Sequence, residues 1–74
     1  MRELDLVVLA RPVSGHDLEP GDVGTVVHAY RNGRAFEVEF VSGDGHTLAV
    51  LTLEADDLRP LNEREILHVR ELAA

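Results

Sequence analysis

The chain has 74 residues and a mass of 8.2 kDa, lacks cysteine and lysine, and carries fourteen carboxylates against seven arginines, for a formal net charge of −7. This length fits one domain with a thin core, because a small domain buries only about 60% of the surface its unfolded chain exposes. The lack of cysteine excludes disulfides and thiolate metal sites. The negative charge argues against nucleic acid as a partner, since nucleic-acid binding relies on clustered positive charge.

The first predicted element is a strand within residues 4–13. Its apolar side chains fall on both sides of the alternating pattern, which is typical of a strand covered at least partly on both faces. Pro12 marks the end of this strand, because proline cannot donate to a β-ladder. The polar loop that follows contains one large apolar residue, Leu18, which we expect to pack back onto the core.

A hairpin is predicted in the centre of the chain, over residues 20–40. Asn32-Gly33 favours a two-residue type I′ turn, in which both central residues need positive φ. In the return strand the apolar and acidic residues alternate strictly, with Phe36, Val38 and Phe40 on one side and Glu37 and Glu39 on the other. Gly24, in the outgoing strand, is a position where another backbone can approach closely.

Three more elements complete the predicted β-domain. Asp44-Gly45 predicts a second hairpin turn, and residues 46–53 read as the next strand. Residues 54–57 are poor strand formers and predict a short turn of 3₁₀ type, which leads into a last strand at Leu58–Pro60. Five short strands joined by tight turns predict a mainly β fold, a small five-stranded barrel over residues 1–61.

Residues 62–74 predict an amphipathic C-terminal α-helix. Asn62 is a favourable N-cap, and Glu65 stands three residues later, where it completes a capping box. At helical spacing, Ile66, Val69 and Leu72 form one apolar stripe. Because a helix this short is marginal alone, we expect it to dock either on its own barrel or on another chain, which is a protein partner or a second copy in a homo-oligomer.

Several segments carry a resemblance to known small barrels. They are Leu6–Leu9, Gly21–Val27 with Tyr30, Glu37–Phe40, Leu51–Leu53 and Asp57–Pro60. In this order the chain resembles the KOW and SH3-like barrels and, more closely, a family of small bacterial proteins known as domain of unknown function 4926, over residues 4–61. The resemblance implies a five-stranded SH3-like barrel of a kind used in docking and accessory subunits, and it supplies no catalytic motif.

The sequence offers no constellation for catalysis, metal or cofactor binding. The four histidines are scattered without ligand spacing, and a metal site needs three or four converging ligands. Glu37 and Glu39 share one face of a strand, where a solvated surface is a better interpretation than acid–base chemistry. No Ser-His-Asp order and no glycine-rich phosphate loop is present. We therefore expect a protein that is not an enzyme.

The sequence favours a protein–protein docking module. Its charge suits a basic partner, and the contact is predicted at Ile66, Val69 and Leu72. Two forms of this hypothesis are an antitoxin or immunity-type neutraliser and an accessory subunit of a neighbouring gene product. The alternative is an RNA- or ribosome-associated KOW-like module that binds through Tyr30, Arg31 and Arg34. No signal peptide or membrane span is visible, so the expected location is the cytoplasm.

Overall fold

The computed structural model describes residues 1–72 and shows five antiparallel strands in one open sheet. The strands are β1 (Leu6–Leu9), β2 (Val23–Ala29), β3 (Ala35–Val41), β4 (Thr47–Glu54) and β5 (Leu58–Pro60). A 3₁₀ helix, Ala55–Asp57, joins β4 to β5, as the sequence predicts. The spatial order is β4-β3-β2-β1-β5, so β4 and β5 are the two edges.

The core lies on one face of this sheet. Val26 of β2 pairs with Val38 of β3, which pairs with Leu51 of β4, so the three side chains form one row across the strands. Val26 and Val38 are fully buried. Leu18 reaches the same cluster from the β1–β2 loop, as expected, and Leu58 joins it from β5. The alternation of β3 therefore specifies which face is buried.

Strand β1 is covered on both faces, in agreement with its sequence pattern. Val7, Val8 and Leu9 are consecutive, so their side chains alternate between the two faces, yet all three are buried. A short strand in the middle of the sheet, between β2 and β5, is consistent with this double cover.

Gly24 fills the role that the sequence assigns to it. A Cβ placed on Gly24 would lie 2.6 Å from Cγ1 of Val38 and 3.0 Å from the carbonyl oxygen of Glu39. The absence of a side chain at this position lets β2 and β3 approach.

The turn at Asn32-Gly33 is not the predicted type I′ turn. Gly33 has positive φ, but Asn32 does not. Among the described non-glycine residues, positive φ occurs at Leu4 and Asp17. The Gly33 amide instead donates to the Tyr30 carbonyl at 3.0 Å, and the Tyr30 amide donates to Ala35 at 3.1 Å. The loop is thus longer, with a left-handed glycine after its first turn.

Two parts of the predicted fold class are wrong. The five strands form an open sheet, with neighbouring pairs only in the order given above, so a closed barrel is not the arrangement observed. Residues 61–72, here called the tail, contain no α-helix: they form one turn at residues 63–64 and otherwise irregular chain. The last two residues of the predicted helix, 73 and 74, lie outside the described residues.

The local start of the predicted helix nevertheless forms. The Glu65 carboxylate accepts the Asn62 amide at 2.9 Å, as in a capping box, and the Glu65 amide donates to the Asn62 carbonyl at 3.1 Å. The chain then leaves this turn without continuing a helix. Forming the first turn of a helix costs more conformational free energy than one hydrogen-bonded turn regains. Contacts farther along the tail instead hold it across the sheet.

Candidate functional site

A depression in the described part of the chain lies between the sheet and the tail. We call it the tail groove, and its volume is about 570 Å³. Strand residues Leu6, Val23, Thr25, Val41 and Leu48 line it on the sheet side, and Leu67, Val69, Arg70 and Leu72 line it on the tail side. Leu6, Thr25 and Glu39 are successive cross-strand partners, and Gly24 and the core residues Leu18 and Phe40 also border the groove.

Arg70 holds the tail at one end of the groove. Its Nε donates to Oδ1 of Asp22 at 2.8 Å, and its second terminal nitrogen donates to Oδ2 at 2.7 Å. The same terminal nitrogen also donates to the Asp17 carbonyl at 2.7 Å. Glu19 adds a carboxylate oxygen 3.4 Å from Nε. This is the two-pronged geometry that a planar guanidinium makes with a carboxylate.

The β1–β2 loop positions these acceptors through its own backbone. The Asp22 carboxylate accepts the Glu19 amide at 2.9 Å, which fixes the carboxylate across the turn. The ends of the turn are tied to β1, because the Gly21 amide donates to the Leu9 carbonyl and the Leu9 amide donates to the Asp22 carbonyl, both at 2.8 Å. Asp17 has φ of 52°, a conformation that aspartate tolerates better than most residues. We call Asp22, Glu19 and the Asp17 carbonyl the arginine site.

Electrostatics favour the charged forms in this site. The hydrogen bonds from Arg70 hold the pKa of the Asp22 carboxyl below its ordinary value of 3.8, with partial burial acting in the opposite direction. The same contact raises the pKa of the Arg70 guanidinium further. The side chains are only 16% exposed for Asp22 and 27% for Arg70, so this pair is better shielded from solvent than the other arginine–carboxylate pairs of the described chain.

A second ion pair holds the beginning of the tail. Both terminal nitrogens of Arg59 donate to the Glu65 carboxylate, each at 2.7 Å. Together with the Asn62 amide, Arg59 lowers the pKa of Glu65 to about 2. The tail is therefore attached at Glu65 and at Arg70, and the four residues between them pass over the groove.

The predicted contact residues of the tail do not form a stripe. Ile66 is 90% exposed, Val69 is 88% exposed and Leu72 is 41% exposed. Since no helix forms, the spacing that would have placed them on one face has no structural meaning. They remain exposed apolar side chains on an irregular segment.

The predicted basic and aromatic spot lies at the β2–β3 hairpin, away from the tail groove. The Tyr30 hydroxyl donates to Glu37 at 2.8 Å, and the Tyr30 ring stands edge-on to His28 at 4.7 Å. Arg34 borders a second depression, also of about 570 Å³, together with Glu54 and Asp56. Within residues 1–72, Arg31 and Arg34 make no ion pair.

The acidic face of β3 is a hydrogen-bonded surface. Glu37 accepts hydrogen bonds from Tyr30 and from the Thr52 hydroxyl, and these two contacts lower its pKa. Glu39 accepts the Thr47 hydroxyl at 2.6 Å. In the described residues no three His, Asp or Glu side chains converge as metal ligands, and none of the helices there is long and apolar enough to cross a bilayer.

Sequence reasoning missed Asp22 and Arg70 as functional residues. The sequence pattern assigned Asp22 only the role of a turn residue and did not single out Arg70. They are 48 positions apart in the chain, so no local pattern connects them. The one available signal was an arginine among apolar residues in a segment too short to be a stable helix.

Comparison with known proteins assigns the β-domain. The family model described as "Domain of unknown function (DUF4926)" matches residues 3–60. The chain belongs to this family. The match confirms the resemblance seen in the sequence, and it includes the whole arginine site but not the tail. No curated protein and no solved structure matches the chain.

Proposed function

We propose that the protein is a non-enzymatic docking module that binds a protein partner in the tail groove. One observation carries the proposal: the sheet already binds a non-helical segment, the tail, which forms the second wall of this groove. The segment lies outside the residues that the family model matches. Binding of a short segment in a preformed groove is a recurrent mode of peptide recognition.

The charge of the chain indicates the kind of partner. Fourteen carboxylates and seven arginines leave a net charge of −7, and two of those carboxylates, Asp22 and Glu19, lie at one end of the groove. A basic partner would be attracted to this surface over a distance, which raises the association rate more than the affinity. In our proposal this partner is either a toxin that the protein neutralises or an enzyme to which the protein is an accessory subunit.

The test is capture of the partner by groove variants of the full-length protein from nuclease-treated extract of its host. Leu48 lines the groove and is 43% exposed, whereas Val27 is 41% exposed on a bulge that does not line it. Leu48→Glu and Val27→Glu therefore add the same charge at matched exposure, inside and outside the groove. We expect Leu48→Glu to lose a stoichiometric partner that the wild type and Val27→Glu retain. A calorimetric titration with the purified partner then gives the ratio of affinities.

The outcomes separate the two function classes. Equal capture by both variants would overturn the groove as the docking surface. Recovery of RNA by the wild type without nuclease, and its loss in Arg31→Ala or Arg34→Ala, would favour the RNA-associated alternative. A protein partner lost only in Leu48→Glu supports docking.

A further inference from the structure

We infer that the arginine site recognises an arginine in an extended segment of the partner, and that Arg70 of the tail occupies this site until the partner displaces it. The inference rests on the proposed docking function and names what the groove selects. The tail is then a ligand held within the molecule, which competes with the partner for the same acceptors.

The geometry of the site suits a guanidinium group. Asp22 offers two carboxylate oxygens side by side, at 2.8 and 2.7 Å from two nitrogens of Arg70. The Asp17 carbonyl takes a second hydrogen from one of those nitrogens at 2.7 Å. An ammonium group is a point donor and cannot span two parallel acceptors, so lysine would satisfy this site less well than arginine.

The site is built without help from the tail. Asp22 is fixed by the Glu19 amide, and the turn that carries it is fixed by β1. All of these residues lie within the stretch matched by the family model, which ends at residue 60. Removing Arg70 would therefore leave a formed acceptor site, in which the Asp22 carboxylate still accepts the Glu19 amide but has lost its cationic partner. A partly buried carboxylate favours a new cationic partner.

The tail is a replaceable occupant of the arginine site and a weakly packed wall of the groove. Its large apolar side chains gain little from their position, since Ile66 and Val69 are about nine-tenths exposed and Leu67 is 56% exposed. Ion pairs at Glu65 and Arg70 are its main attachments. A partner segment that brought an arginine and buried its apolar residues more fully would win the competition, because burial adds free energy in proportion to apolar area.

The probe for this inference is a synthetic peptide with capped ends and the sequence of residues 62–72, added to the full-length protein. In wild type the tethered tail competes with the peptide, whereas in Arg70→Ala it cannot fill the arginine site. Apparent affinity scales with the fraction of open sites, so we expect Arg70→Ala to bind the peptide about tenfold more tightly than wild type. Arg64→Ala is the matched control, because Arg64 lies on the same tail and makes no ion pair among the described residues.

Peptide variants test the selectivity for arginine. A peptide with R70K should bind Arg70→Ala protein clearly more weakly than the parent peptide, while R64K should bind as the parent does. The protein variant Asp22→Asn, which keeps an acceptor oxygen for the Glu19 amide, should lose the peptide. Should Asp22→Asn fail to fold in a circular dichroism check, the R70K peptide decides the point alone.

Distinct results would overturn the inference and the proposed function. Equal peptide affinity of wild type and Arg70→Ala, or of the parent and R70K peptides, would overturn the inference. So would a wild-type mass of twice 8.2 kDa by sedimentation that falls to the monomer value in Arg70→Ala, since the tail would then fill a second copy. If the peptide binds as expected but no groove-dependent protein partner is captured, the arginine site stands and docking to a separate protein fails.

Discussion

At the scale of single residues, Asp22 couples the turn of the β-domain to the tail. The Asp22 pKa lies below 3.8 because Arg70 donates to the carboxylate. A group whose pKa is lower in the folded than in the unfolded state contributes stability above its unfolded value. That contribution is lost as pH falls through the lowered folded value. The contact is thus complete at neutral pH and breaks only in acid.

Acidification should therefore release Arg70. We expect the Nε–H nuclear magnetic resonance signal of Arg70 to keep its folded position at neutral pH and to move towards that of a free arginine below pH 3.8. Arg64 serves as the internal reference, because its guanidinium has no carboxylate partner among the described residues. A midpoint for Arg70 above pH 3.8 would contradict the lowered pKa of Asp22.

Gly24 supplies a second prediction at this scale. The Cβ of an alanine at Gly24 would lie 2.6 Å from Val38 and 3.0 Å from Phe40, both of which are buried. Overpacking of this kind costs about 1–3 kcal/mol, so Gly24→Ala should lower the urea midpoint accordingly. Gly43→Ala is the control, since nothing lies within 4 Å of a Cβ there. It should change the free energy of unfolding by less than about 0.5 kcal/mol. Equal stability of the two variants would mean that Gly24 is not a close-approach position.

At the scale of elements, the strands follow from the sequence and the tail does not. Alternation in β3 fixes both its conformation and its buried face, since a shift by one residue would bury Glu37 and expose Phe36. The 3₁₀ turn also follows from local composition. The tail, in contrast, could form a stable helix only if Ile66, Val69 and Leu72 packed against another surface. The local sequence does not indicate whether such a surface exists.

The turn at Asn32-Gly33 shows the same limit on a smaller scale. The dipeptide predicts a hairpin correctly, but the turn type depends on where the strands end. Tyr30 pairs with Ala35, which leaves four residues in the loop and lets the Asn32 side chain accept the Arg34 amide at 2.8 Å. A two-residue turn would have needed backbone pairing between the residues directly before Asn32 and after Gly33.

The Arg70–Asp22 contact shows the same limit over a longer distance. Its two residues are far apart in the chain, so no local sequence pattern predicts it.

The non-helical tail gives a prediction for a whole element. Truncation after Leu61 should not reduce the helical circular dichroism signal at 222 nm, because residues 61–72 contain no helical backbone. The same truncation should open the arginine site and bind the tail peptide as Arg70→Ala does. A helical difference spectrum between the full-length and truncated proteins would contradict the non-helical tail.

At the scale of the whole molecule, net charge and the local site act on different steps of binding. A charge of −7 on 74 residues attracts a basic partner before contact, and salt screens this attraction over a Debye length of about 8 Å at physiological ionic strength. The arginine site acts after contact, within hydrogen-bonding distance. Under the proposed docking function, long-range charge would set how fast the partner arrives, and Asp22 would set how long it stays bound.

This division predicts separate kinetic effects of salt and of mutation. Raising the salt concentration should lower the association rate constant with the captured partner far more than it raises the dissociation rate constant. Asp22→Asn should chiefly accelerate dissociation, whereas Glu63→Gln, an exposed tail position with the same change in net charge, should alter only association and only slightly. Stopped-flow measurements at several salt concentrations give both constants. If Asp22→Asn and Glu63→Gln change the same constant by the same factor, Asp22 contributes only its charge, and recognition in the groove depends on its apolar floor.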